Sequence, residues 1–117
     1  MKVFQSLFTS AAVLLFLAGP VSAADQEGNF TILSLGNQRC SKVVEAYPKN
    51  GWDKLSFSIW IGGYLSAVNE YVSRVSNIAA GTDAAARDLW VYNYCQKNPE
   101  HKLARAASAL HRDLSSR

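Results

Sequence analysis

"SIWIGGYLSAVNEYV", Ser58–Val72, decides the fold class of this chain. Around and within it, Phe57, Ile61, Tyr64, Val68, Tyr71 and Val75 recur at alternating steps of four and three, and Trp60, Leu65 and Val72 widen the stripe. That period marks a helix, and a stripe this wide predicts contact on more than one side. The expected helix runs from about Lys54 to Asn77, with Asp53 as its N-cap. Two adjacent glycines, Gly62 and Gly63, stand inside it, each costing roughly 1 kcal/mol against alanine. A position without a Cβ lets another backbone come near. Gly62 and Gly63 are therefore expected to mark close packing against a crossing helix, the alternative being a local kink without a partner.

Downstream, Gly81 ends this unit, and Thr82 is expected to cap a helix reaching about Lys97, with Leu89, Tyr92 and Cys95 as its inner edge. In "KNPEHK", Asn98 is the expected cap and Pro99 the first position of a last helix. That helix carries Leu103, Ala107, Leu110 and Leu114 on one face. Upstream, 37–47 reads as a short helix bearing Cys40, Val43, Val44 and Tyr47, stopped by Pro48. "PKNGWD" is a turn. "FTILSLG", Phe30–Gly36, alternates like a strand but has no partner strand, so 24–36 is expected to be loose or extended. Residues 37–117 thus form an all-α domain, a small four-helix bundle with one short, one long and two medium helices.

The N-terminus has a different composition. Lys2 precedes the apolar run "AAVLLFLAG", and "PVSAADQ" offers small residues at Val21 and Ala23. Residues 1–23 are expected to be a cleaved signal peptide, placing the protein in the periplasm. An uncleaved anchor is the competing reading, but the run is shorter than the ~20 residues a span needs, so no stable membrane anchor is expected. Cleavage would leave 94 of 117 residues, one small domain with a modest core. Cys40 and Cys95 are the only cysteines. An even pair in an exported chain reads as a disulfide; free thiols or metal ligands are the alternatives, and two cysteines without CxxC or HxxxH companions make a poor metal site. Twelve Lys and Arg face nine Asp and Glu, and no basic run exceeds two residues, so no nucleic-acid surface is expected.

Catalytic signals are absent from the sequence. There is no GxSxG, P-loop, HExxH or GxGxxG. His101 and His111 read as solvated residues of the last helix, and Glu45, Glu70 and Asp88 as single acids on helical faces. No enzyme, metal or cofactor is expected. The tryptophans and tyrosines are too many for a core this small, so some should line an interface or groove.

The segments "WIGGYLSAVN", "YCQKNP" and "LARAASAL" resemble the HdeA/HdeB-like periplasmic acid-stress chaperones. The likeness rests on Cys40, on Trp60, Gly63 and Tyr64, on Cys95, Asn98 and Pro99, and on Leu103 and Ala106, over roughly Arg39 to Leu114. It implies a helical bundle with one disulfide joining its first and third helices. It further implies a dimer that dissociates and partly unfolds in acid to bind denaturing clients. Carboxylates lose charge near pH 4, so net charge would rise from +2 without Lys2 to about +14 near pH 2. The client- or partner-binding surface would be Phe57, Trp60, Ile61, Tyr64 and Leu65. A second resemblance is to immunity proteins that neutralise type VI secretion amidases; where those carry a cysteine before a Gly-Tyr pair, this chain has Ile61 and Gly62. The expected partners are protein clients under acid or envelope stress, a single effector enzyme, or a second copy of the chain.

Overall fold

A computed structural model describes Ala24 and residues 29–117; the expected signal peptide, 1–23, lies outside the described residues. Thr31–Arg117 is one compact unit built from four helices: α1 (Cys40–Ala46), α2 (Trp52–Tyr71), α3 (Ala84–Lys97) and α4 (Leu103–Ser115). Among the described residues there is no strand, only one isolated antiparallel bridge between Arg39 and Lys102. A disulfide joins Cys40 at the start of α1 to Cys95 near the end of α3, with Cα atoms 4.8 Å apart. The fold is the stapled all-α bundle that the sequence predicts.

The helix ends differ from expectation in instructive ways. Before α1, Ser34–Asn37 winds into a 3-10 turn rather than remaining extended. Pro48 tightens the exit of α1 into a second 3-10 turn, Tyr47–Lys49, and Asn50 closes it in the left-handed region at φ 50°. Gly51, not Asp53, then occupies the N-cap of α2, and Asp53 sits in the first turn, where a carboxylate favours the helix dipole.

Six residues short of Asn77, α2 stops at Tyr71. The amides of Val72 and Ser73 both donate to the carbonyl of Val68, and the Asn69 side chain accepts from the amide of Ile78 at 2.8 Å. In "VSRVSN", β-branched and serine residues weaken the helix while local side-chain bonds compete with it. Gly81 takes φ 79° in the following loop. Asp83, rather than Thr82, caps α3 by accepting from the amide of Ala86 at 2.7 Å.

The core gathers Cys40, Val43, Ala46, Phe57, Ile61, Leu65, Val91, Cys95, Leu103, Ala106, Leu110 and Leu114. The predicted face of α4 is buried as expected. On α3 the inner edge is Val91 and Cys95, a four-residue step, and Leu89 faces outward at 47% exposure. Tyr71 and Val75, expected on the inner stripe of α2, are exposed because the helix ends beneath them.

The close-packing role assigned to Gly62 and Gly63 is not met within this chain. A Cβ built at either position finds nothing within 4 Å. The glycine that admits a close approach is Gly36, where a Cβ would lie 2.1 Å from Cζ2 of Trp60 and 2.8 Å from Cγ2 of Ile32. The indole of Trp60 therefore rests on the bare backbone of the first 3-10 turn. In dilute solution Gly36→Ala should lower the unfolding free energy by about 1–3 kcal/mol through overpacking. Gly62→Ala, which meets open space, should raise it by up to about 1 kcal/mol. Chemical denaturation of the two variants measures both signs.

Candidate protein-binding surfaces

The expected binding stripe lies mostly inside the bundle. Phe57, Ile61 and Leu65 are buried at 8%, 2% and 3% exposure, because the four-residue step from Phe57 keeps them on the side of α2 that meets the other helices. Trp60 and Tyr64 flank them half-buried, their rings stacked with centroids 5.9 Å apart. In the folded molecule the five residues form one side of the core rather than an open patch.

Aromatic residues extend this layer across α3. Tyr47 stacks on Tyr92 at 4.3 Å, and Lys54 places its ammonium 4.3 Å from the centre of the Tyr47 ring, a favourable cation–π geometry. Trp90 stacks on Tyr94. The hydroxyl of Tyr94 is 2.8 Å from Nδ1 of His101. His101 is thus a half-buried partner in the aromatic layer, not the solvated residue its helical spacing implied. Nothing local marked it, since Asn98 and Pro99 read as a helix start whereas α4 begins only at Leu103.

Two carboxylates have shifted titration. Asp88 is half-buried between α3 and α2, and burial raises its pKa, partly offset by a hydrogen bond from Ser58 and by the charges of Lys54 and Arg87. Glu45 is exposed, and hydrogen bonds and charge from Lys42 and Lys49 lower its pKa. The signs oppose one another. Charged Asp88 disfavours the folded state, and that penalty fades as pH falls through its raised pKa; the contribution of Glu45 is present above its ordinary range and is lost as pH falls through its lowered value.

Several open grooves indent the surface of the described residues, and two of them join apolar walls to charged rims. One, of about 440 Å³, lies between the first 3-10 turn, α1 and the start of α2, lined by Leu35, Ala46 and Phe57 with Lys42, Glu45 and Lys49. The other, of about 510 Å³, lies between the loop after α2 and the end of α4. Val72, Val75, Ile78 and Leu114 give it apolar walls, and Arg74 and Arg117 give it positive charge beside the imidazole of His111. Large apolar side chains also stand outside the core, with Trp52 76%, Leu55 48% and Ile59 62% exposed on α2, Trp52 at the edge of the first groove. Trp52 is one of the tryptophans expected to lie outside so small a core; Leu55 and Ile59 fall off the inward stripe and carried no such signal.

Among the described residues no cluster of three or more His, Cys, Asp or Glu could hold a metal ion, and no helix is long and apolar enough to cross a membrane. The grooves offer apolar contact with a few charges at the rim. No protein-family model, curated protein or solved structure matches this chain.

Asp88 supplies a direct check of this geometry. Relative to Asp88→Asn, the unchanged protein should gain stability as the pH falls from about 7 toward about 4. Urea titrations at the two pH values measure the difference, and equal differences at both would contradict a half-buried carboxylate at this position.

Proposed function

We propose that this chain is an exported, periplasmic protein of the HdeA/HdeB-like kind, which binds unfolding client proteins under acid or envelope stress. The observation that carries the reading is the position of the staple relative to the apolar stripe. The Cys40–Cys95 bond closes a covalent loop around α1, α2 and α3 and leaves α4 outside it. Four fixed cations, Lys102, Arg105, Arg112 and Arg117, run from the cap of α4 past its end against one acid, Asp113.

Acid would remove the balancing carboxylate charge and drive self-repulsion. The part of α4 beyond its anchored first turn has no covalent tie and is the part free to swing away, which would uncover apolar surface on the linked helices, with Ile61, Tyr64 and Leu65 among the residues available to a client. Asp88 does not trigger this change, since its protonation favours the folded form. The drive comes from distributed charge, because the ion pairs Arg39–Glu100, Lys42–Glu45 and Arg117–Asp113 are all exposed and solvent-exposed pairs contribute little to stability.

A second reading is an immunity-type protein that neutralises one secreted effector enzyme. The groove walled by Val72 and Leu114 and edged by Arg74, His111 and Arg117 favours it, since a formed cationic groove suits an acidic patch on a folded partner.

Circular dichroism and light scattering between about pH 7 and pH 2 distinguish the two. The client-binding reading expects loss of tertiary packing below about pH 3, with retained helix, and suppression of client aggregation only in that range. Reduction of the disulfide should turn the partial opening into full unfolding. A protein that stays packed at about pH 2, or that opens without protecting a client, overturns the reading.

A further inference from the structure

The link from α2 to α3, residues 72–83, is the longest stretch outside the helices between Cys40 and Ser115. Val72 and residues 74–77 are exposed. The backbone here is held on either side of Arg74 but hardly at it. The amides of Val72 and Ser73 return to the carbonyl of Val68, and further on the Asn69 side chain holds the amide of Ile78. Between these points the peptide bond Arg74–Val75 has one tie among the described residues, from the Val75 amide to the hydroxyl of Ser73 at 3.1 Å. The Arg74 guanidinium makes no ion pair among the described residues.

An endopeptidase takes several residues on each side of the bond it cuts in extended form. It therefore needs backbone that is exposed and not committed to hydrogen bonds. Other lysines and arginines near helix ends lack that freedom. Lys49 has only Asn50 and Gly51 between its 3-10 turn and α2. Arg39 and Lys102 pair with each other in the isolated bridge, and the amides that follow them, of Cys40 and Leu103, are bonded to His101 and Gln38. After Lys97 the amide of Asn98 is bonded to the carbonyl of Cys95.

We propose that the Arg74–Val75 bond is a processing site for a trypsin-like endopeptidase, and that the product is a two-chain protein joined through Cys40 and Cys95. Such an enzyme reads the arginine charge with a carboxylate in its specificity pocket. Water adds across the bond. The C–N bond breaks, a C–O bond forms at the Arg74 carbonyl carbon, and the nitrogen of Val75 leaves as an ammonium opposite a new carboxylate on Arg74. The cut parts the helices in pairs, with α1 and α2 on one chain and α3 and α4 on the other. Cys40 lies on the first chain and Cys95 on the second, so the disulfide spans the cut. The core and the backbone bonds from Cys40 to His101 and from Leu103 to Gln38 span it too. Cleavage thus leaves the bundle assembled but changes the work of the disulfide. From a brace on a continuous chain it becomes the sole covalent link, and the cut protein holds together only while oxidised. The inference stands whichever protein-binding role proposed above is correct.

Limited digestion of the oxidised full chain with trypsin tests it. The first cut within residues 29–117 should fall after Arg74. Without reductant the product should stay one molecule, heavier by one water, with its helical circular dichroism intact. Reductant should then release one fragment ending at Arg74 and one beginning at Val75, and the helical signal should be lost. Arg74→Gln should slow the first cut by about tenfold or more, since the remaining sites are reached only through unfolding, and Arg74→Lys should restore it. A first cut elsewhere in that range overturns the proposal, as does an Arg74→Gln protein cut as fast as the wild type. Fragments that part without reductant, or a reduced, cut protein that keeps its helix, overturn it as well.

Discussion

Three of the four helices begin without a side-chain cap, and two of them, α1 and α4, are each capped by the backbone at the other's start. The N-caps of α1 and α4 are Arg39 and Lys102, and neither side chain accepts a cap bond. Instead the amide of Cys40 donates to the carbonyl of His101 at 2.7 Å, and that of Ser41 donates to the carbonyl of Pro99 at 3.0 Å. In return, the amide of Leu103 donates to the carbonyl of Gln38 at 2.9 Å. The first turn of a helix has amides with no partner inside the helix, so this reciprocal exchange satisfies two helix starts at once. The disulfide sits in the same layer, both cysteines fully buried. Closing a loop of 55 residues contributes about 4 kcal/mol on chain-entropy arithmetic, a large share of the ~5–15 kcal/mol that stabilises a small domain.

Everything else arranges itself about this joint. It sets α1 against α3 and α4, and the 3-10 turn just before it brings Gly36 under the indole of Trp60. Trp60 in turn positions the half-buried aromatic flank of α2. The Lys102 ammonium reinforces the joint from outside by donating to the backbone and side-chain oxygens of Asn37. Further along α4, the helix is held to the bundle by apolar burial of Ala106, Ala107, Leu110 and Leu114. Firm attachment at one end and apolar attachment at the other is the physical basis for assigning this helix the part that opens.

How much of this was legible in the sequence follows from the range of each interaction. Cys40 and Cys95, the inner face of α4 and the existence of four helices were legible because periodicity and a lone cysteine pair are strong local signals. Where α2 stops was not, since Val72 and Val75 continue the apolar period and only the bond from Ile78 back to Asn69 reveals the break. The start of α4 was misplaced for a different reason. Asn98 and Pro99 look like a local cap, whereas Asn98 instead donates its side chain to the carbonyl of Tyr94 and the helix waits for Gln38, far off in sequence. The glycines show the same limit. A bare Cα signals that something comes close without saying at which glycine, and the contact within the chain falls on Gly36 rather than on Gly62 or Gly63. For the binding stripe, Phe57, Ile61 and Leu65 were correctly grouped by spacing, but spacing alone cannot distinguish a core face from a surface offered to a partner.

Amide hydrogen exchange measured residue by residue on the oxidised protein addresses the central joint most directly. If the reciprocal backbone bonds and the disulfide together hold the fold, the amides of Cys40, Ser41 and Leu103 should be among the slowest to exchange, opening only with global unfolding. Exchange of these three amides as fast as those of the loop after α2, with the rest of the bundle still protected, would show that the fold does not depend on this joint.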